Sequence, residues 1–182
     1  AKLPVEDPVL WNGRKNPYLY TVRCEIFDST TEEVTDNIDI RTGLREYHID
    51  SHKGFFLNGE HIKLQGVSRH QDRENMGNAI TEKQHAEDIK IILDVGANSV
   101  RLAHYQQNSY FYDLCDESGL RVWAEVPVIS RFSPKRNENA EQQLVELIKQ
   151  NYNHPSIFCW GIENEITIAG SANKKLITFL KH

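Results

Sequence analysis

The pattern of apolar and polar residues changes once along this chain of 182 residues. From Trp11 to about Ile49, apolar and polar residues alternate, most regularly in Tyr18–Phe27 and again around Ile38 and Ile40. Alternation rich in aromatic and β-branched residues predicts roughly two to four β-strands. Further along, short apolar runs alternate with helical patterns, as expected for parallel strands joined by helices. The sequence therefore predicts an all-β segment followed by an α/β segment.

A β-hairpin and four parallel strands are predicted in the α/β segment. Asn58-Gly59 lies between two apolar runs and favours a two-residue turn, because a type I′ turn needs positive φ at both central residues. Such a hairpin would close the bottom of a barrel. The predicted parallel strands are Ile62–Val67, Ser99–Leu102, Leu120–Val126 and Ser156–Ile162. Because a complete parallel α/β barrel has eight strands and about 250 residues, these strands indicate about half of one.

Helical patterns separate the predicted strands. The first helix begins at Thr81, where Gln84 completes a capping box, and ends before Gly96. Its buried face is predicted to consist of Ala86, Ile89 and Leu93. Further helices are predicted at Ser109–Ser118, at Asn139–Tyr152 and from about Ser171.

Composition and charge narrow the range of partners. With 39% hydrophobic and 26% charged residues the chain is typical of a soluble globular protein, and no apolar run approaches the ~18 residues of a membrane span. The net charge of −5, with both signs interspersed, argues against a nucleic-acid partner. The three cysteines are far apart and lack metal-ligand spacing, so we expect free and mostly buried thiols.

The first residues indicate a truncated sequence. Ala1-Lys2-Leu3-Pro4 shows no secretory signal, and the only methionine is Met76, so we expect a longer parent protein. The missing signal favours the cytoplasm, but an internal start leaves the compartment open.

Two acidic residues follow the last predicted strand, in Glu163-Asn164-Glu165. The carboxyl ends of barrel strands form the catalytic face of parallel α/β barrels, so an acid at this place is a candidate catalytic group. The alternative is that both acids simply solvate a loop.

Four stretches in order resemble glycoside hydrolase family 2, the family of β-galactosidases, β-glucuronidases and β-mannosidases. They are Phe56–Glu60 with Gly66–Asp72, Asn98–Tyr105, Tyr112–Leu120 and Asn153–Glu165. Trp11–Tyr20 also resembles the middle of the immunoglobulin-like domain that precedes the family's barrel. The resemblance implies a partial TIM (β/α)8 barrel of about four βα units over residues 51–182. Residues 1–50 would be the C-terminal part of the immunoglobulin-like β-sandwich.

The resemblance assigns Glu165 as the catalytic acid/base. Retaining glycosidases need two carboxyl groups about 5–5.5 Å apart, one to protonate the leaving oxygen and one to attack the anomeric carbon. Asn164 would hydrogen-bond the sugar hydroxyl beside the anomeric carbon. The family's nucleophile is a second glutamate at the end of the seventh strand, so we expect the chain alone to be inactive.

Four further residues match substrate-binding positions of the family. Arg101 would lie on the floor of the active site, although a structural ion pair is an equally good interpretation of an isolated arginine. His104 would contact the sugar, and His70 and Asp72 would form a polar sugar-binding corner; the alternative for all three is a loop position. Glu125, at the end of the third strand, could order the floor of the pocket.

No metal or cofactor is expected. Some β-galactosidases of the family bind a divalent metal through a Glu and a His after the third strand, where this chain has Ile129 and Arg131, which cannot coordinate magnesium. Trp123 and Trp160 lie within strands and are expected in the barrel core.

The resulting hypothesis is a retaining exo-β-glycosidase that hydrolyses terminal β-galactosides. β-Glucuronidase or another family 2 glycosidase is the alternative within the same class, and a non-catalytic carbohydrate-binding or interaction module is the alternative from another class. The expected partner is a β-linked galactoside or related saccharide, with no nucleic acid and no membrane. A homo-oligomer is also expected, because half a barrel leaves two strand edges open.

Overall fold

The computed structural model describes residues 3–130 and 137–166. Its N-terminal part contains an antiparallel pair of strands, β1 (Tyr20–Phe27) and β2 (Val34–Thr42). Their apolar side chains, including Ile26 and Ile38, are largely exposed to solvent. This two-stranded sheet matches the alternating pattern of the all-β segment.

A second small sheet connects this hairpin to the α/β part. It consists of β3 (Tyr47–Asp50), β4 (Gly54–Leu57) and β5 (Glu60–Ile62), all antiparallel. Asn58 and Gly59 have φ values of 49° and 80°, which confirms the predicted two-residue turn. Because β3 pairs with β4, the proposed domain boundary at residue 50 runs within a sheet; the boundary stays a prediction.

Four parallel strands form the main sheet, in the order β6-β7-β8-β9. They are β6 (Gly66–Arg69), β7 (Ser99–Leu102), β8 (Arg121–Glu125) and β9 (Ile157–Gly161). Helices α1 (Glu82–Asp94), α2 (Ser109–Ser118) and α3 (Asn137–Asn151) alternate with them. The fold is thus a partial TIM barrel, as expected. The predicted first strand Ile62–Val67 was wrong, because its start belongs to the antiparallel β5 and the parallel strand begins at Gly66.

Local signals place the helix ends. Thr81 and Gln84 form the predicted capping box of α1. The Asn108 side chain accepts a hydrogen bond from the backbone N–H of Tyr110 and so caps α2. Gly96 and Gly119 follow α1 and α2 with φ values of 82° and 71°, the left-handed conformation that ends a helix.

The core lies between the parallel sheet and the helices that cover its outer face. It includes Val100, Leu102 and Val122 from the sheet and Ile89, Phe111 and Leu147 from the helices. The predicted inner face of α1 was wrong in part: Ala86 is exposed, and Ile92 and His85 are buried instead.

The inner face of the sheet is open in the described residues. Trp123 is 39% exposed there, so its predicted place in a closed core was wrong, whereas Trp160 packs against the core as expected. The side chain of Trp123 borders a cavity of about 310 Å³ that Leu64 and Phe158 also line.

The N-terminal segment is fastened to the amino ends of the parallel strands. Trp11 is buried, and its indole Nε1 donates to the carbonyl of Asp116 at 2.9 Å. Arg45 donates to the carbonyl oxygens of Pro155 and Ile157. The Arg45 bonds hold the start of β9, the strand that leads to Glu165, and the Trp11 bond holds α2.

Within residues 3–130 and 137–166, no helix combines the length and apolarity that crossing a membrane requires.

The three cysteines are free, as expected, but only Cys115 is buried and Cys24 is exposed. The expectation of mostly buried thiols was therefore wrong for Cys24, which lies on the exposed strand β1. The helix predicted from Ser171 lies outside the described residues.

Candidate active site

The carboxyl ends of β6 to β9 bring the predicted site residues to one end of the sheet. His70 follows β6, Arg101 lies near the end of β7, and Asn164 and Glu165 follow β9. Glu125 is the last residue of β8. This convergence follows from the parallel register, in which Arg101 pairs with Trp123 and Glu125 with Gly161.

A buried carboxylate organises the centre of this cluster. The side chain of Glu125 is 1% exposed. Its Oε1 accepts a hydrogen bond from Arg101 Nε at 2.5 Å, and its Oε2 lies 2.8 Å from His104 Nδ1. A buried charge is stable only when it is paired and hydrogen-bonded, so this carboxylate depends on both partners.

Arg101 also reaches the last strand. Its Nη2 donates to Asn164 Oδ1 at 2.8 Å. The backbone of Asn164 is held as well, since its N–H donates to the carbonyl of Val128 and its carbonyl accepts from Ser130 N–H, at 2.8 and 2.9 Å. Asn164 is therefore buried and fixed at both its backbone and its side chain.

The imidazole of His104 lies between Glu125 and His70. Because a carboxylate only accepts, the 2.8 Å contact requires the hydrogen on His104 Nδ1. The approach of Arg101 Nη2 to that same Nδ1, at 3.2 Å, is then not a hydrogen bond. The ring of His70 meets the ring of His104 edge to face, with centroids 5.3 Å apart.

Glu165 lies beside this network with an exposed side chain. Its φ of 56° is uncommon for a residue other than glycine, and such strained residues cluster at functional sites. The neighbouring Glu163 instead accepts a hydrogen bond from the backbone N–H of Ile166, at 3.1 Å.

Asp72 is also exposed and borders, with His70, a groove of about 340 Å³ beside α1. The structure thus brings together Arg101, His104, Asn164 and His70, whereas Asp72 shares only the groove beside α1 with His70.

A second layer supports the loops that carry the site. Arg69 is buried and donates to Asp88 Oδ2 through Nε and Nη2, at 2.9 and 2.7 Å, and to Gln107 Oε1. Gln107 returns a bond to the carbonyl of Arg69 at 3.0 Å, which ties the end of β6 to the loop after His104. Desolvation, with the charge of Arg69 as the second cause, lowers the pKa of His85 beneath them.

Close packing constrains the floor of the site. A Cβ on Gly161 would lie 2.4 Å from Trp123 Nε1 and 2.6 Å from Glu125 Cγ, so only glycine fits there. Burial, and next the charge of Glu125, raise the pKa of the Cys159 thiol. A neutral thiol is a poor nucleophile, so Cys159 is not a candidate nucleophile.

From the sequence alone, Glu125 was only a possible support for the floor of the pocket. Neither Arg69 nor Gln107 was identified as a candidate site residue. An acid followed directly by Val126-Pro127 at a strand end was the available signal for Glu125. No local pattern marks Arg69 and Gln107, because their contact joins residues 38 positions apart.

One group of side chains in the described residues has metal-like spacing, at the opposite end of the sheet. Ligand atoms of Asp113, Asp116 and His154 lie within 4.8 Å of one another. Asp116 already accepts from His154 Nδ1 at 2.6 Å and from Ser156 N–H at 3.0 Å, which gives it a structural role. Burial raises the pKa of Asp113.

Of the two positions compared with the family's metal ligands, Ile129 is apolar and half exposed, and Arg131 lies outside the described residues.

Comparison with known proteins finds one family that matches nearly the whole chain. The family described as "Glycosyl hydrolases family 2, TIM barrel domain" matches residues 49–182, and "Glycosyl hydrolases family 2" matches residues 1–45. A β-glucuronidase of Bacteroides fragilis is 44% identical over 92% of this chain and 25% of its own length. A β-galactosidase of Thermoanaerobacter pseudethanolicus is 34% identical over 88% of this chain and 22% of its own.

A solved structure shows the same likeness. The FMN-binding β-glucuronidase from Facaelibacterium prausnitzii L2-6 superposes with a TM-score of 0.85 at 44% identity, over 97% of this chain and 29% of that one. The chain therefore spans about a quarter of the length of the relatives that it matches.

Proposed function

This chain belongs to glycosyl hydrolase family 2, and we propose that the protein containing it is a retaining exo-β-glycosidase. The observation that carries the proposal is a set of hydrogen bonds at the strand ends. Glu125 accepts from Arg101, and Arg101 donates to Asn164, the residue directly before Glu165. A loop that merely solvated its acids would not need a buried carboxylate and an arginine to hold the residue beside them.

Glu165 is proposed as the general acid and base. As the glycosidic C–O bond breaks, Glu165 gives its proton to the leaving oxygen while a second carboxylate attacks the anomeric carbon. Glu165 then removes a proton from the water that hydrolyses the glycosyl ester. The second carboxylate is proposed to come from outside these 182 residues, so the chain alone should not hydrolyse glycosides.

Asn164, His104 and His70 are proposed to bind the sugar. The Asn164 oxygen accepts from Arg101, so its Nδ2 hydrogens remain to donate to the hydroxyl beside the anomeric carbon. That bond strengthens as the oxocarbenium-like transition state forms, and it therefore contributes to catalysis as well as to binding. Asp72 is proposed to contact a more distant sugar hydroxyl from its exposed position.

Two sugars are candidates. The sequence favours terminal β-galactosides. The second candidate is a β-glucuronide, because the relatives of this chain include proteins named β-glucuronidase as well as proteins named β-galactosidase. Parallel assays of the full-length protein on aryl β-galactoside and aryl β-glucuronide would distinguish them. Hydrolysis of neither would point to another family 2 glycosidase, and absence of hydrolysis over a panel of aryl β-glycosides would favour a non-catalytic binding module.

Glu165→Gln in the full-length protein tests the proposed acid/base. Cleavage of alkyl glycosides should fall about 10²- to 10⁴-fold, because their leaving oxygen needs a proton. Dinitrophenyl glycosides should lose less in the glycosylation step, since their leaving group departs as an anion. The steady-state and pre-steady-state rates on both substrates measure this difference.

Glu163→Gln is the matched control. Gln keeps an oxygen that can accept from Ile166 N–H and removes only the charge, so activity should stay near wild type. Equal loss on alkyl and dinitrophenyl substrates in the Glu165 variant would exclude the acid role and point to a structural residue or the nucleophile.

A further inference from the structure

Glu125 lies too deep to touch a substrate, yet it contacts two residues proposed to form the site. Its side chain is 1% exposed, and among the described residues each of its two oxygens has one partner: Arg101 Nε and His104 Nδ1. Any effect of this carboxylate on a bound sugar must therefore pass through those partners.

Arg101 connects Glu125 to the amide of Asn164. A guanidinium group is planar, with its donors in a fixed fork, so a bond at Nε restricts the direction of Nη2. Nη2 donates to Asn164 Oδ1 at 2.8 Å, and the cation also lies 5.5 Å from the centre of the Trp123 ring. Glu125 thereby holds the donor that faces Asn164.

The direction of this bond determines what Asn164 offers to a ligand. With Oδ1 occupied by an arginine donor, the amide presents its Nδ2 hydrogens elsewhere. If the amide flipped, its N–H groups would face the N–H groups of Arg101, with no acceptor between them. The Glu125–Arg101 pair therefore selects one amide orientation.

The second oxygen of Glu125 acts on His104 in the same way. Accepting from Nδ1–H at 2.8 Å fixes both the ring orientation and the nitrogen that carries the hydrogen. The opposite nitrogen, Nε2, is the one left for a ligand.

We propose that Glu125 is a positioning residue that orients Asn164 through Arg101, and His104 directly, toward the sugar. The inference rests on the proposed function, in which Asn164 donates to the hydroxyl beside the anomeric carbon. It predicts that the contribution of that hydroxyl to kcat/KM depends on Glu125, although Glu125 does not contact the sugar.

A substrate lacking this hydroxyl tests the coupling. The full-length protein is assayed with the aryl β-glycoside that it hydrolyses best and with the 2-deoxy analogue. The kcat/KM for the complete glycoside is divided by that for the 2-deoxy analogue, and this ratio is compared between variants. In Glu125→Gln the ratio should fall by about 10-fold or more, because interacting groups typically couple at this level. The fall should appear in kcat more than in KM, since the bond strengthens in the transition state.

Two further variants make the test decisive. Arg101→Lys keeps the charge beside Glu125 but lacks a fork that reaches Asn164, so its ratio should fall similarly; it decides the outcome if the Glu125 variant does not fold. Glu117→Gln removes another carboxylate bonded to an arginine, Arg41 at 2.7 Å, on the exposed side of α2. Its ratio should match that of the wild type.

The outcomes separate the two proposals. Equal loss on both substrates in Glu125→Gln and Arg101→Lys, leaving the ratio unchanged, would overturn the positioning role while the glycosidase stands. Absence of hydrolysis by the wild-type protein would overturn the proposed function itself, and the positioning role with it.

Discussion

Tyr112 gives the clearest pH dependence at the scale of single residues. It is buried in α2, and this burial raises the pKa of its phenol to about 12. In the unfolded chain the phenol ionises near pH 10. Between these values the folded state keeps a proton that the unfolded state loses, so the free energy of unfolding should decrease as pH rises from about 10 to 12. The loss should reach about 2 to 3 kcal/mol.

Tyr112→Phe removes the titrating group and retains the ring. Denaturant unfolding at pH 8, 10 and 11.5 should show that the variant gains stability relative to wild type as pH rises. A constant difference over that range would mean that Tyr112 ionises equally easily in the folded protein.

The sequence indicated which residues to examine at the candidate site, but not how they contact one another. Arg101, His104 and Asn164 lie together because parallel strands bring their carboxyl ends to one edge of the sheet. The central place of Glu125 depends on side-chain directions across three strands, which a linear pattern does not contain. Glu125 appeared only as one acid at a strand end.

At the scale of elements, Gly119 joins α2 to the N-terminal segment. Its φ is 71°, and an added Cβ would lie 2.2 Å from the backbone carbon of Gly13 and 2.4 Å from Arg14 N. Gly119→Ala should therefore lower the free energy of unfolding well beyond the ~1–2 kcal/mol that left-handed φ alone costs. Denaturant midpoints measure the difference.

Gly96→Ala is the matched control, because Gly96 ends α1 with a φ of 82° and an added Cβ would meet nothing within 4 Å. Its loss should stay near ~1–2 kcal/mol. Equal losses in the two variants would show that the Gly13–Lys15 turn does not pack against α2 in solution.

Elements were predictable where their signals are local. The capping box at Thr81 and the glycine after α2 lie within a few residues of the ends that they determine. The start of β6 has no such signal. Between β5 and β6, Asn98 accepts from Gln65 N–H and donates to the carbonyl of Lys63, both at 2.9 Å. These bonds come from a residue more than 30 positions away, so the local sequence does not show that the predicted strand is interrupted there.

For the whole molecule, the parallel sheet followed from the alternation of strands and helices, but the exposure of its inner face did not. Trp123 and Val67 have the apolar character of buried strand residues, yet they are 39% and 36% exposed. Their burial would require neighbours that the described residues do not supply. A pattern of hydrophobicity indicates that a residue needs covering and does not say what covers it.

This open sheet predicts that the 182-residue chain associates with itself. Among the described residues, β6 pairs only with β7 and β9 only with β8, so each strand has one edge without a strand partner. Such edges pair readily with another chain. Exposed Ile91 on α1 and Val95 directly after it extend the apolar surface beside β6. We expect a symmetric dimer that buries the edge of β6, the edge of β9, or both.

Sedimentation of the chain at micromolar concentration measures this association. Val67→Lys should shift it toward monomer, because lysine on an edge strand disfavours strand pairing. Val145→Lys places the same charge at an equally exposed valine, 39% accessible on α3, and should leave the association unchanged. A monomeric wild-type chain with a native circular dichroism spectrum would contradict the prediction, since both edges would then be covered within the chain itself.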